Sequence, residues 1–283
     1  MRRYELIIPR VLFVKKGRKE KIAISIDAGL LKRIDRMVDG LDVKSRSHAL
    51  EMLIRKGLGE ESVDEALLFA GGEGKHAAYR LPKPMLELYG RPVMQGVIEW
   101  LGKNGIKKIT VSVGYLREEI ESYFGNGAGF GVSIEYIRED EPVGTAGSLK
   151  LARGRFGKTF VALNSDVICD FDLKKMVEFH KDVGALATVA LHESKDVHRY
   201  GTVALEGNWI TKFVEKPEKG TEPSGIVNAG VYVFEPEIFN YTPDRGMLET
   251  DVFPFLAKKG LIAGYIFHGE WKDVEDVMRE GKR

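Results

Sequence analysis

The chain has 283 residues, 43 Lys/Arg against 42 Asp/Glu, a formal net charge of +1, six histidines and one cysteine. This length accommodates one large α/β domain with a small appendage. The lone Cys169 excludes an internal disulfide and a cysteine-based zinc site, and no apolar run approaches the roughly 20 residues of a membrane span.

Charge is unevenly placed: residues 1–60 hold 15 Lys/Arg and 8 Asp/Glu, the remainder 28 and 34, so two parts with different partners are expected. The basic N-terminus is not followed by a signal-peptide-like core, and the expectation is a cytoplasmic protein without membrane association. In residues 1–20, Leu6-Ile7-Ile8 and the apolar run from Val11 to Val14 precede Lys15-Lys16-Gly17-Arg18-Lys19. Both a short extra strand and a loose arm fit. Next, Ile22, Ile24 and Ile26 alternate with Lys21, Ala23 and Ser25, the period of a half-buried strand. Asp27 can cap a helix with the apolar face Leu30, Leu31, Ile34, Met37 and Val38, stopped by Gly40. Ser45-Arg46-Ser47 opens a second helix carrying Ala49, Leu50, Leu53, Ile54 and Leu58 on one side. A strand and two helices cannot bury a core alone. The segment 1–60 resembles the ribbon-helix-helix DNA-binding fold. The resemblance implies a homodimer with Lys21, Ala23 and Ser25 facing the DNA groove and Ser45, Arg46 and Ser47 at a backbone phosphate. A dimerisation module with a solvated basic face fits the same residues.

Residues 57–62 read as a polar linker. The run Ala66-Leu67-Leu68-Phe69-Ala70 is strand-like and ends in Gly71-Gly72-x-Gly74, where backbone N–H groups meet a ligand with no Cβ in the way, which suits phosphate. Lys83 is held between Pro82 and Pro84, a point charge on a stiff backbone. A helix over 92–103, a strand over 109–113, a helix over 116–124 and a strand over 132–138 follow, the alternation of a mainly parallel sheet. The stretch from Glu141 to Leu149 then leads with Gly144-Thr145-Ala146-Gly147 into a helix. The strand 159–163 delivers Asn164-Ser165-Asp166 at its C-terminal end, where ligands of parallel sheets collect. A carboxylate there suits Mg²⁺, and Asp172 suits a helix cap. Far downstream, Trp271-Lys272-Asp273 follows the strand 262–267.

Taken in order over residues 65–283, these motifs resemble the sugar-1-phosphate nucleotidyltransferases, most closely the mannose-1-phosphate guanylyltransferase branch through the Gly-Thr-Ala-Gly form. The resemblance rests on Gly71, Gly72, Gly74, Pro82, Lys83, Pro84 and Met85, on Gly144 to Gly147, and on Asp166 and Trp271-Lys272-Asp273. Tyr200-Gly201, Glu215-Lys216-Pro217 and Asn228-Ala229-Gly230 complete it. It implies a Rossmann-like three-layer α/β domain with a mainly parallel sheet, joining a nucleoside triphosphate (NTP) to a sugar 1-phosphate with Mg²⁺. Ala70, Gly71, Gly72, Gly74, Gly144 and Thr145 would hold the nucleotide, and Gly201, Glu215, Lys216 and Asn228 the sugar phosphate. Asp166 and Asp273 would hold the metal, and Lys83 would act at the α-phosphate. Lys75-His76 stands where the family has Thr-Arg, so that second cation is supplied by Lys75, by Arg80, or not at all. Glu275-Asp276 replaces a Gly-Thr. Two readings follow: an enzyme making a nucleotide sugar, and a DNA-binding regulator whose large domain senses a nucleotide or nucleotide sugar.

Overall fold

The computed structural model describes residues 22–40, 43–57, 63–72 and 81–280. The chain divides into two units, residues 1–61 and 62–283. In the first, Asp27 caps helix α1 (Ala28–Asp35) by accepting from the N–H groups of Gly29 and Leu30. Helix α2 (Arg46–Gly57) starts after Ser45, whose hydroxyl accepts from His48 N–H at 3.2 Å. Arg46 grips Asp35 with both arms, Nε to Oδ1 at 2.5 Å and Nη2 to Oδ2 at 2.9 Å, so it joins the two helices. Ile34, Val43 and Ala49 form the buried core of this unit. Ile22, Ile24, Leu30, Leu53 and Ile54 stay exposed. The strand expected around Ile22 to Ile26 does not form in the single chain. A strand without a neighbour leaves its N–H and C=O groups unpaired. Lys21 lies outside the described residues, as does Leu58.

In the second unit, β1 (Glu65–Ala70) is followed by a 3₁₀ turn at Lys83–Met85 and the small hairpin β2 (Glu87–Leu88) and β3 (Arg91–Pro92). Then come α3 (Val93–Lys103), β4 (Lys108–Val113), α4 (Arg117–Phe124), β5 (Ser133–Arg138) and α5 (Gly144–Leu151). Next are β6 (Phe160–Asn164), β7 (Val167–Cys169), α6 (Leu173–Val183) and β8 (Ala187–Glu193). The chain continues through β9 (Gly201–Glu206), β10 (Trp209–Glu215), β11 (Ile226–Phe234), α7 (Phe253–Lys259), β12 (Ile262–Ile266), β13 (Trp271–Asp273) and α8 (Val274–Glu280). Asp172 caps α6, accepting from Lys174 and Lys175 N–H.

Among the described residues, nine strands form one sheet in the order β5-β4-β1-β6-β11-β8-β12-β10-β9. The pairings β5–β4, β4–β1, β1–β6 and β8–β12 are parallel. Those of β6–β11, β11–β8, β12–β10 and β10–β9 are antiparallel. The sheet is therefore mixed, which corrects the expectation of a mainly parallel one. The βα alternation that supports a parallel sheet stops at β8, and from there β9, β10 and β11 follow without an intervening α-helix. Gly207, with φ +58°, closes the tight β9–β10 hairpin.

Side chains alternate across the sheet. Ala66, Leu68 and Ala70 of β1 and Val161 and Leu163 of β6 pack beneath α3, α4 and α6, with Met94, Ile98, Ile120 and Met176. Leu67, Phe69, Phe160 and Ala162 face the other layer, with Leu149 of α5 and Phe253 and Leu256 of α7. Each such large side chain contributes about 1.5–3 kcal/mol by leaving water, so the scaffold that aligns the strand ends is firmly held. The parallel registers, Ala70 opposite Val113 and Phe69 opposite Asn164, bring the C-terminal ends of β1, β4 and β6 to one edge. No helix among the described residues is long and apolar enough to cross a membrane.

Candidate active site

That edge gathers most of the motif residues. Ala70 ends β1 and is buried; Gly71 and Gly72 follow it, exposed. A Cβ on Gly71 would lie 2.4 Å from Glu139 Oε1, so glycine is dictated here by an internal carboxylate as well as by any ligand. Glu139 is itself buried and accepts from the hydroxyls of Ser112 (2.7 Å) and Ser148 (2.5 Å). Gly74, Lys75 and Arg80 lie outside the described residues.

The rigid Pro82-Lys83-Pro84 backbone turns Lys83 toward the end of β6 and the start of α8. Its Nζ meets Glu275 Oε1 at 2.5 Å. Burial pulls its ammonium pKa down, but the bond to Glu275 and the charges of Asp166, Glu275 and Asp273 more than reverse this and leave it raised. Asp166 follows β6, where Ser165 anchors the chain through its hydroxyl to the Phe69 carbonyl at 2.7 Å. Asp273 arrives from far downstream because β13 pairs antiparallel with β7, Asp273 opposite Val167, and Val274 N–H donates to the Asp166 carbonyl. Burial raises the pKa of both carboxyls, and for Asp166 the neighbouring Asp273 charge adds to it. Both side chains are half-buried, and two carboxylates drawn together there repel each other, which a cation would relieve. Trp271, two residues before Asp273, fixes the ribbon: its indole N–H donates to the Ala229 carbonyl at 2.9 Å and its ring meets Tyr200 edge-on.

The residues expected at the sugar phosphate form a neighbouring group. Gly201 pairs with Glu215 across β9 and β10, and a Cβ on Gly201 would strike the Phe213 ring at 2.6 Å and Glu215 Oε2 at 2.8 Å. Burial, then the Glu249 charge, raises the Glu215 carboxyl pKa. Lys216 takes a left-handed φ of +44°, a strained geometry that is concentrated at functional sites. Its Nζ is largely exposed, 3.7 Å from Glu215 Oε1. Asn228 lies where the β11–β8 register shifts, its Oδ1 accepting from Gly230 N–H and its Nδ2 donating to the Tyr232 hydroxyl. Gly230 joins this group to the first one, since a Cβ there would lie 2.8 Å from Asn164 Nδ2.

On the far side of the Gly71 loop, Gly144 starts α5 with φ +75°. A Cβ there would be 2.3 Å from the Gly246 carbonyl oxygen. The Thr145 hydroxyl donates to Glu249 Oε2 at 3.0 Å and accepts from Leu248 N–H at 2.8 Å. Its role at a ligand is therefore confined to backbone and methyl.

The structure thus brings together Lys83, Asp166 and Asp273, and beside them Gly201, Glu215, Lys216 and Asn228. Ala23, Ser25, Ser45, Arg46 and Ser47 belong to the other unit, where Arg46 is engaged by Asp35. Sequence reasoning missed Glu139 and Glu249, carboxylates whose burial depends on long-range packing. It also noted Glu275-Asp276 only as a departure, although Arg199 and the Tyr200 hydroxyl both engage Asp276.

A family model described as nucleotidyl transferase matches residues 65–277. A UTP–glucose-1-phosphate uridylyltransferase of Synechocystis sp. is 36% identical over 234 residues, 75% of this chain and 60% of that protein. A mannose-1-phosphate guanylyltransferase catalytic subunit beta of Danio rerio is 33% identical over 220 residues, 74% and 61% of the two chains. The chain spans about 60% of the length of these curated relatives. Among solved structures, HddC from Yersinia pseudotuberculosis complexed with GMP-PN aligns with a TM-score of 0.67 and 27% identity over 78% of this chain and 100% of its own. With its glycine loop, paired aspartates and Glu215–Lys216 group set on one strand edge, the chain belongs to the nucleotidyl transferase family.

Proposed function

We propose that this chain transfers a nucleotidyl group from an NTP to a sugar 1-phosphate, releasing pyrophosphate. The observation that carries the reading is the meeting of Lys83, Asp166 and Asp273 beside Glu215, Lys216 and Asn228. In this reaction an oxygen of the sugar phosphate attacks the α-phosphorus in line. A new P–O bond forms as the bond to the bridging oxygen breaks, and pyrophosphate leaves with the electron pair. No side-chain nucleophile is needed; position and charge neutralisation do most of the catalysis.

Each residue has a task in this scheme. Lys83 neutralises charge at the α-phosphate and Lys216 pairs with the sugar phosphate. Glu215 accepts from sugar hydroxyls, and Asn228 offers its remaining amide hydrogen and carbonyl lone pair. Gly71, Gly72 and Gly144 let base and triphosphate approach the backbone. Lys75 or Arg80 supplies the second cation. A hard divalent ion such as Mg²⁺ would suit Asp166 and Asp273, since the half-buried pair is acidic and oxygen-only. When bound, such an ion neutralises the triphosphate. Pyrophosphate release, measured with Mg²⁺ over a panel of NTPs and hexose 1-phosphates, should require one pair of substrates and vanish in Asp166→Ala. The same panel assigns a guanylyl or uridylyl donor. Saturable nucleotide binding without release supports the sensing regulator instead.

The exposed Ile22, Ile24, Leu30, Leu53 and Ile54 support a second element of the proposal: residues 1–60 pair with those of another copy as a ribbon-helix-helix dimer. Lys21, Ala23 and Ser25 would then face DNA, with Ser45 and Ser47 at a phosphate. Sedimentation of Leu53→Glu should show dissociation; an unchanged oligomer overturns the pairing. Electrophoretic mobility of basic-face variants on duplex DNA tests the rest.

A further inference from the structure

Glu249 has no place in the scheme above, yet it links the two sides of the site. It sits on a π-helical turn, Leu248–Val252, between β11 and α7, and is buried. Its carboxylate has two hydroxyl donors. Thr145 Oγ1 reaches Oε2 at 3.0 Å and the Tyr232 hydroxyl reaches Oε1 at 3.2 Å. The Tyr232 hydroxyl also accepts from Asn228 Nδ2 at 2.9 Å, and Asn228 Oδ1 accepts from Gly230 N–H at 2.9 Å.

Both Glu249 oxygens act as acceptors, and this fixes every direction in the chain. Both hydroxyls must donate to Glu249. Tyr232 then has only lone pairs to turn toward Asn228, so Nδ2 is the end of the amide that meets it. Asn228 is locked in one orientation, with one N–H and one carbonyl lone pair left for a ligand. At the other end, Thr145 is held by the Glu249 carboxylate and the Leu248 N–H, which fixes the first turn of α5 behind the glycine loop. A π-turn carries one residue more than an α-turn and recurs at functional sites; here it carries the glutamate that faces both hydroxyls.

We infer that Glu249 is a positioning residue that sets the nucleotide loop through Thr145 and the sugar subsite through Tyr232 and Asn228. The inference rests on the transferase reading. It predicts a divided pattern of effects. Tyr232→Phe breaks only the branch to Asn228, so the KM for sugar 1-phosphate should rise at least tenfold while that for NTP changes less than twofold. Thr145→Val breaks only the branch to α5 and should show the reverse, with Thr145→Ser restoring wild-type values. Glu249→Gln, which must present an amide N–H to one of the hydroxyls, should raise both.

The test is steady-state kinetics of wild type and the four variants over both substrates, with titration calorimetry of each substrate and melting temperatures alongside. The divided pattern, with Thr145→Ser rescue, supports the inference. Lower melting temperatures with unchanged KM and Kd in Tyr232→Phe and Thr145→Val would show a purely structural tie and overturn it, even if Glu249→Gln does not fold. If wild type neither turns over nor binds either substrate, the transferase reading fails and this inference falls with it. An active wild type with indifferent variants sinks the inference alone.

Discussion

Glu275 Oε1 stands 2.5 Å from Lys83 Nζ, so a carboxylate of the chain already engages the cation proposed for the α-phosphate. A triphosphate binding there would compete with it for the ammonium. Glu275→Gln keeps the shape and removes the competing charge, and should tighten Mg²⁺–NTP binding. Partly exposed pairs contribute about 0.2–1 kcal/mol, so calorimetry should show a gain of a few-fold at most. Weaker binding in the variant would mean that Glu275 helps hold the ligand.

Asp166 and Asp273 bear on stability as well as binding. Their carboxyl pKa values are raised by burial, so their ionised forms disfavour the empty fold at neutral pH. Asp166→Asn should therefore raise the melting temperature of the ligand-free protein by a few degrees, about 1 kcal/mol at this size. It should also abolish the extra stabilisation that Mg²⁺ with NTP gives wild type. A lower melting temperature with retained ligand stabilisation contradicts both roles.

Cys169 lies half-buried on β7, in the ribbon that carries Asp273, opposite Trp271. Burial, with a smaller push from Asp170, raises its thiol pKa to about 12. Since the thiolate is the reactive form, labelling by a maleimide or a disulfide reagent at pH 8 should be orders of magnitude slower than for a free cysteine. It should become fast on denaturation. Equally fast labelling of the native protein would contradict the burial.

Another carboxylate, Glu235, sets acid sensitivity away from the site. His180 Nε2 lies 3.1 Å from Glu235 Oε1, and the Thr159 hydroxyl donates to the same oxygen. Burial alone would raise the Glu235 pKa, but these hydrogen bonds outweigh it and leave it lowered. A lowered folded-state pKa gives stability above the unfolded value, near 4.5, that is lost as pH falls through the folded one. Glu235→Gln should flatten the fall in melting temperature between about pH 5 and 3, measured by calorimetry at each pH.

Much of this was legible in the residues, and the gaps have physical causes. Short apolar runs marked β1, β4 and β6, and the glycines and prolines around Lys83 marked a ligand edge. Asp166 and Asp273 were readable as a pair only through motif order, because the β7–β13 pairing that joins them spans a hundred residues. The mixed sheet was missed because antiparallel insertion of β11 between β6 and β8 leaves no periodic trace in an all-buried strand. Glu249 gives no local signal: it follows Leu248 at the start of a turn, and only Tyr232 and Thr145 make it an interior group. In the small unit, the alternation at Ile22, Ile24 and Ile26 has no strand to pair with among the described residues.

The β7–β13 ribbon also sets an order of events. It is three residues long on each strand and joins segments far apart in sequence, so loop-closure entropy delays it until the nine-stranded sheet exists. During refolding, the large domain should regain its far-ultraviolet dichroism before it regains ligand binding. In the native state, so short a ribbon can open by itself, and its amides should exchange with solvent sooner than those of β1 or β6. The proposed catalytic assembly would then be a late and separately fraying part of an otherwise tightly closed domain.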